Sequence, residues 1–514
     1  MKALLMHRDR DFVAPKDVPR EERYRVYKPG RPNTPQEDAL AQDLELETLL
    51  SAMAGEDAFV HEVARRALFA GFANDFDTIL YRQAVLRDCL KNPAAVRELY
   101  ALTVETINAR RKHWWGISSS VAGSILHSAV DLMQMLTGML RRLRDIADAN
   151  AARFESEGFR TLFATLDREL SDEYFATVRA RLAELKFPGG VLVGASLSEA
   201  GNAVTGFVLR EDRDKRPTWL KRILRKGPPA YTFHLHPRDE AGATIVGRLR
   251  DRAIAAVANA TAQSADHVLS LFETLRVELG FYVGCLNLHE RLRAMGCSTC
   301  FPEPQATGSR RHSFTELYDV DLALTMGRRI VANTGSADGK SLVIVTGANQ
   351  GGKSSFLRSV GLAQVMMQCG LFVGAGAFAA ELCAGLFTHY KREEDAAMRG
   401  GKFDEEVRRM SGIAEAIVPQ SLMLFNESFA STNEREGSEI ARQVVRALLE
   451  KRVKVFFVSH LYSFAHGFYE SARDLALFLR AERLPDGTRT FKLIEAEPLE
   501  TSYGEDLYRE IFGT

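Results

Sequence analysis

Residues 341–364 read SLVIVTGANQGGKSSFLRSVGLAQ, and this stretch decides the fold of the C-terminal part. Leu342 to Val345 form a short apolar run of the kind found in buried parallel strands. A glycine-rich turn follows, then an amphipathic helical pattern. The turn carries G-x-x-x-x-G-K-S from Gly347 to Ser354, a P-loop pattern. Gly347, Gly351 and Gly352 let the backbone turn tightly and aim its N–H groups at phosphate oxygens. Ala348, Asn349, Gln350 and Ser355 complete the expected contact set. Lys353 sets a cation against the terminal phosphates, and Ser354 offers a hydroxyl to Mg²⁺. The start of the following helix adds its positive dipole end. The expected cofactors are ATP and Mg²⁺.

Two further apolar runs supply what such a site needs. SLMLFNES, residues 421–428, ends in Asn426-Glu427. Glu427 is positioned as the general base that polarises water, and Asn426 as a metal-side residue whose carbonyl oxygen can accept from a metal-bound water. Asn426 carries no charge where an aspartate is usual. Slow hydrolysis or weak Mg²⁺ binding is therefore expected. FFVSHLYSF, residues 456–464, ends its apolar run at His460, which is placed to contact the γ-phosphate. Strand-to-helix alternation from 313 to 514 gives an α/β P-loop ATPase domain.

The rest of the chain sets the frame. It has 514 residues, room for about three domains. Lys plus Arg is 67 and Asp plus Glu is 67, so the formal charge is zero. That excludes a cationic coat over the whole surface and leaves a local basic face open. Six cysteines are spread over a long chain and do not form a disulfide framework. Cys297 and Cys300 make a single C-x-x-C without the second pair a structural zinc needs. The N-terminus lacks a signal-peptide run. His127, Asp131 and Gln134 interrupt the most apolar stretch, 117–140. A cytoplasmic protein without a membrane span is expected.

Residues 1–40 are polar and aperiodic, and read as an extended or mobile arm. Helical spacing over 41–186 gives the first part of a core and lever domain. Short β-branched runs over 187–240 give a small β-rich insertion resembling a clamp. Helix returns over 241–312.

With these motifs in place, the chain resembles the MutS family of DNA mismatch-repair ATPases, within the ABC superfamily. TGANQGGKSSFLR, GLFVGAGA, LFTHYKREEDAAMRGGKF, NESFASTNEREGSEIA, VSHLYSF and FKLIEAEPLETSYGEDL follow the family's order over most of 313–514. TILYRQAVLRDCLKNP, residues 78–93, resembles a segment of the family's core and lever domain. The resemblance implies a truncated member, without the N-terminal mismatch-reading and connector domains. It also implies a homodimer in which each ATPase site is completed by the other subunit, with 428–437 at the interface. Gly401-Lys402 stand where the family carries Ser-Thr, which puts the partner's contact to the γ-phosphate in question. Asn333 resembles the family's adenine-pocket segment; an ordinary turn asparagine is the competing reading.

DNA is the expected partner. Arg216, Lys221, Arg222, Arg225 and Lys226 lie in the clamp-like insertion, where they can hold backbone phosphates without reading sequence. Arg110, Arg111 and Lys112 beside Trp114 and Trp115 form a second basic stretch. A solvated charged face is the competing reading for both. The implied function is an ATPase that couples dimer closure to DNA binding in repair or recombination. The alternatives are a nucleotide-dependent switch in a protein assembly, with little hydrolysis and no DNA, and an ATPase acting on structured RNA.

Overall fold

The computed structural model describes residues 1–12, 34–113, 121–187, 193–197, 204–209, 234–236, 238–392 and 401–500. Arg216, Lys221, Arg222, Arg225 and Lys226 lie outside these residues, as do Trp114 and Trp115. The chain divides into two compact units. One holds Met1–Ala3, Arg97–Arg153 and Arg160–Arg276; the other holds Leu4–Val96, Phe154–Phe159 and Val277–Thr514. The unit that carries the glycine-rich turn thus also takes in sequence from well before residue 313.

In chain order the helices are α1 (Pro35–Asp43), α2 (Leu46–Ala54), α3 (Ala58–Ala70), α4 (Phe76–Lys91), α5 (Pro93–His113), α6 (Ala122–Asn150), α7 (Glu157–Glu169), α8 (Asp172–Glu184) and α9 (Glu240–Ala294). They continue with α10 (Val320–Met326), α11 (Lys353–Cys369), α12 (Lys402–Ala416), α13 (Glu434–Glu450) and α14 (Tyr462–Ser471). The strands are β1 (Val193–Leu197), β2 (Val204–Leu209), β3 (Glu303–Gln305), β4 (His312–Leu317), β5 (Asn333–Ser336) and β6 (Leu342–Thr346). They continue with β7 (Ala377–Glu381), β8 (Leu386–Tyr390), β9 (Leu422–Asn426), β10 (Lys454–Val458), β11 (Ala476–Arg483) and β12 (Arg489–Glu495).

The first unit is mostly helical. α6 buries Leu126, Val130, Met133, Leu136, Leu140 and Leu143 at three- and four-residue spacing, the stripe that packs a helix on its neighbours. Ser171 caps α8 by accepting from the Tyr174 N–H at 3.2 Å. β1 and β2 pair antiparallel, with Val193 opposite Leu209, inside the stretch 187–240.

The second unit is built on a six-stranded sheet of order β12-β11-β6-β10-β9-β8. β11, β6, β10, β9 and β8 run parallel, and only β12 is antiparallel to its neighbour. The apolar runs of β6, β9 and β10 follow from this, because central strands are covered on both faces. α11 is buried along almost its whole length. At Gly361 a Cβ would lie 2.7 Å from a Leu44 methyl and 2.9 Å from a Leu424 methyl, so only glycine lets α11 pass between them. A smaller sheet, β3-β7-β4-β5, packs in the same unit.

Residues 4–12, inside the stretch read as an arm, are tied into this unit. The buried Glu278 carboxylate accepts from the backbone N–H groups of Leu5 at 2.5 Å, Met6 at 3.3 Å and Phe12 at 2.9 Å. Arg82 donates to Met6 O at 2.9 Å, and Tyr282 donates to Leu5 O at 2.7 Å. A polar, aperiodic sequence can still be ordered when buried groups elsewhere bond its backbone.

Candidate functional site

Register brings the site together. In the sheet Val345 of β6 pairs with Val458 of β10, and Val458 pairs with Asn426 of β9. The ladder continues past the strand ends, with Ser459 N–H on Val345 O at 3.0 Å and Glu427 N–H on Val458 O at 2.9 Å. The glycine-rich turn, Asn426-Glu427 and His460 therefore leave the sheet at one edge, its C-terminal edge, where ligands of open α/β sheets bind.

Gly347 has φ of 109° and Gly352 has φ of 90°, a region that side-chain-bearing residues avoid. A Cβ on Gly347 would also meet the Ala481 nitrogen at 2.9 Å, and one on Gly351 would meet the Ala481 Cβ at 2.7 Å. The turn is pressed against β11, which excludes larger residues on two independent grounds. Lys353 opens α11 and is buried. Its Nζ donates to Gly347 O at 3.1 Å and Ala348 O at 2.9 Å, so the ammonium closes the turn onto itself. Burial pushes its pKa down to about 8. A cation held in a ring of backbone dipoles, behind glycines that leave room for close approach, suits a polyphosphate.

Ser354 Oγ donates to Asn426 Oδ1 at 3.1 Å. Two neutral oxygens from α11 and β9 thus meet where a hard divalent cation would want oxygen ligands. Among the described residues no group of three or more His, Cys, Asp or Glu side chains is arranged for a metal. Metal capture at the turn would lean on Ser354, Asn426 and the ligand's own oxygens.

Glu427 sits on a left-handed backbone with φ of 55°, a strained position for a residue with a side chain. The next residue, Ser428, is fully buried, and its hydroxyl lies 2.7 Å from His389 Nδ1. Burial lowers the His389 pKa to about 4, so the ring is neutral. Its Nε2 lies 3.0 Å from Glu406 O, which can only accept, so Nε2 holds the proton, and the Ser428 hydroxyl also donates to His389 O at 2.5 Å. This pair pins the turn that aims Glu427. Glu427 Oε1 lies 2.8 Å from His460 Nε2. That hydrogen bond, first among the causes, holds the Glu427 carboxyl below the usual carboxylate range against the opposing effect of burial.

Lys353, Ser354, Asn426, Glu427 and His460 therefore converge, and Ala348, Asn349, Gln350, Gly351, Gly352 and Ser355 belong to the same turn and helix start. Asn333 is buried and its Oδ1 accepts from Leu493 N–H at 2.8 Å, stitching β5 to β12 two residues from Phe491. Gly401 caps α12 and Lys402 is its exposed first residue. Within 428–437, Ser428, Phe429 and Gly437 are buried in the unit, whereas Asn433 to Glu436 are exposed. Arg110 is buried and lies 3.6 Å from Glu273. The six cysteines are unpaired, and among the described residues no helix is long and apolar enough to cross a membrane.

Sequence reasoning did not single out the β11–β12 hairpin. Ala481 limits Gly347 and Gly351, the Phe491 backbone lies against Gly352, and Arg489 Nη1 donates to Gln350 Oε1 at 3.0 Å. The signal was present as Pro485-Asp486-Gly487, a turn sequence between two apolar-patterned runs.

The sequence matches two family models, the MutS2 N-terminal domain over residues 74–295 and MutS domain V over residues 343–509. Similar curated proteins include "Endonuclease MutS2" of Thermus thermophilus, 30% identical over 156 residues, which is 30% of this chain and 21% of that protein. "DNA mismatch repair protein MutS" of Thermus aquaticus is 29% identical over 166 residues, 32% of this chain and 20% of that protein. "MutS protein homolog 4" of Mus musculus is 29% identical over 137 residues, 27% of this chain and 14% of that protein. The matched stretch spans about a fifth or less of these relatives.

Proposed function

The chain belongs to the MutS family, and on that premise we propose that it is an ATPase whose nucleotide cycle is coupled to DNA binding. The observation that carries most weight is the convergence at one sheet edge. There a glycine-rich turn with a buried lysine meets a Ser354–Asn426 pair and a Glu427–His460 pair.

In the proposed reaction the backbone N–H groups of 347–352 and the Lys353 ammonium bind the phosphates of ATP. Ser354 and Asn426 would hold Mg²⁺, which supplies charge neutralisation on the phosphate oxygens when bound. Glu427, fixed by its strained turn, orients a water in line with the terminal phosphate and takes its proton. His460 steadies Glu427 and lies where the γ-phosphate would arrive. Asn426 lowers the negative charge at the metal side, so turnover is slow relative to a site with an aspartate there. Relatives carry DNA mismatch repair and endonuclease in their names. DNA is accordingly the proposed partner, contacted by Arg216, Lys221, Arg222, Arg225 and Lys226 through backbone phosphates. A homodimer through the ATPase unit, using exposed residues 433–436, is proposed to close on ATP.

The test is steady-state ATP turnover of the whole chain, with Lys353→Ala as control, without DNA and with homoduplex, mismatched and branched DNA. DNA stimulation that disappears in the lysine variant supports a DNA-coupled ATPase. ATP binding with a rate indifferent to every DNA favours a nucleotide switch acting on a protein assembly, the second reading, to which the neutral Asn426 lends support.

A further inference from the structure

Arg489, the first residue of β12, lies beside the glycine-rich turn, and in the sheet order β12 and Glu427's strand β9 fall on opposite sides of β6. Its Nη1 donates to Gln350 Oε1 at 3.0 Å, a neutral acceptor at the exposed crest of the turn. Its Nε is buried and makes no hydrogen bond among the described residues. The carboxylate on the adjoining strand, Glu482, is already taken by the Thr490 hydroxyl at 2.7 Å. Arg489 is close enough to Lys353 for its charge to oppose the lysine's charged form. Two cations thus bracket one glycine-rich turn, and Glu427 is the carboxylate that acts on Lys353 to favour its charge.

A half-buried guanidinium with an unmet N–H, held near a second cation, is costly unless an anion joins them. Guanidinium also matches phosphate geometry better than any other side chain. Its anchor, Gln350, has φ of 55° at the crest of the turn. We propose that Arg489 is a phosphate ligand supplied from the same chain, which binds the terminal phosphates of a nucleoside triphosphate together with Lys353. This rests on the nucleotide site proposed above. It also offers a reason why Asn426 is tolerated: with a second cation at the phosphates, binding depends less on a metal held by a charged carboxylate.

The test uses the full chain and measures ATP and ADP affinity by calorimetry, with Mg²⁺ and with EDTA, for wild type, Arg489→Gln, Arg489→Lys and Lys353→Ala. Arg489→Gln is expected to weaken ATP at least about tenfold, and more in EDTA than in Mg²⁺, at unchanged melting temperature. It should weaken ADP less. Arg489→Lys should recover part of the loss, since it restores the charge without the planar fork. An arginine that merely braces the turn would give equal losses for ATP and ADP, in Mg²⁺ and EDTA alike, and that result overturns the proposal. So does an Arg489→Gln chain that binds ATP as wild type does; Lys353→Ala losing ATP in the same series would leave the nucleotide site itself standing. A wild-type chain that binds neither nucleotide overturns both.

Discussion

His460 Nε2 lies 2.8 Å from Glu427 Oε1, at the ends of neighbouring parallel strands. A carboxylate can only accept, so the histidine donates and its other ring nitrogen remains for a ligand or water. The bond orients Glu427 and keeps it ionised, which is what a residue that polarises water requires.

Glu427→Gln should therefore retain ATP binding and lose turnover by about 10²–10⁴-fold, the usual worth of a positioned general base. His460→Ala should lose less. It should also move the acidic limb of the pH–rate profile to higher pH, because the largest influence lowering the Glu427 pKa is gone. Rates measured from pH 4.5 to 8 decide the matter; an unmoved limb would show that His460 acts without Glu427.

Lys353 gives a pH dependence of opposite sense. Its pKa in the free protein is lowered to about 8 by burial. Phosphate oxygens favour the ammonium and raise that value on binding. ATP affinity is then highest below pH 8 and falls by up to about tenfold per unit as pH rises above it, until the raised value of the complex is reached. Near pH 8, binding takes up protons, so the calorimetric enthalpy should depend on the ionisation enthalpy of the buffer. A flat profile from pH 6.5 to 9.5 would mean that the lysine charge is not used.

Asn426 tests the metal side. Its Oδ1 already accepts from Ser354 Oγ at 3.1 Å, and an aspartate oxygen can keep that bond while adding charge. Asn426→Asp should tighten Mg²⁺-dependent ATP binding and raise turnover by about tenfold, roughly 1.4 kcal/mol in barrier. Titration of turnover with Mg²⁺ is the measurement. An unchanged rate and midpoint would remove the idea that neutrality at this position limits the chemistry.

What the sequence disclosed follows from how local each signal is. The turn from Gly347 to Ser354 is contiguous, and its glycines are needed because φ and space both exclude Cβ. Asn426, Glu427 and His460 were legible because each ends an apolar run, and parallel register aligns those ends. Ser428 and His389 were not, since a buried Ser–His bond joins residues 39 apart with no pattern to announce it. Arg489 was missed for the same reason: its neighbours come from the turn and not from its own strand. The order of residues 4–12 was also hidden, because it depends on one buried carboxylate, Glu278, far along the chain.

Behind the glycine-rich turn, Arg358 of α11 pairs with Asp319 at 2.6 Å and with Glu45, and Asp321 lies fully buried beside them. Three carboxyl groups face one guanidinium. Burial, then the contact with Glu45, raises the Asp321 pKa, and a protonated Asp321 can donate to Glu45 where an ionised one would leave two buried oxygens without partners. A carboxyl raised on folding contributes stability that is fully present below its unfolded pKa and is lost as pH rises through its folded value. Asp321 should therefore weaken the fold as pH climbs from the acid range towards neutrality, by at most about 1.4 kcal/mol per pH unit. Asp321→Asn keeps the donor and removes the titration. Urea denaturation at pH 5, 6, 7 and 8 should show a shallower decline for the variant, with the curves converging at low pH. Parallel declines would mean that the extra proton resides elsewhere in the cluster, on Glu45 or Asp319.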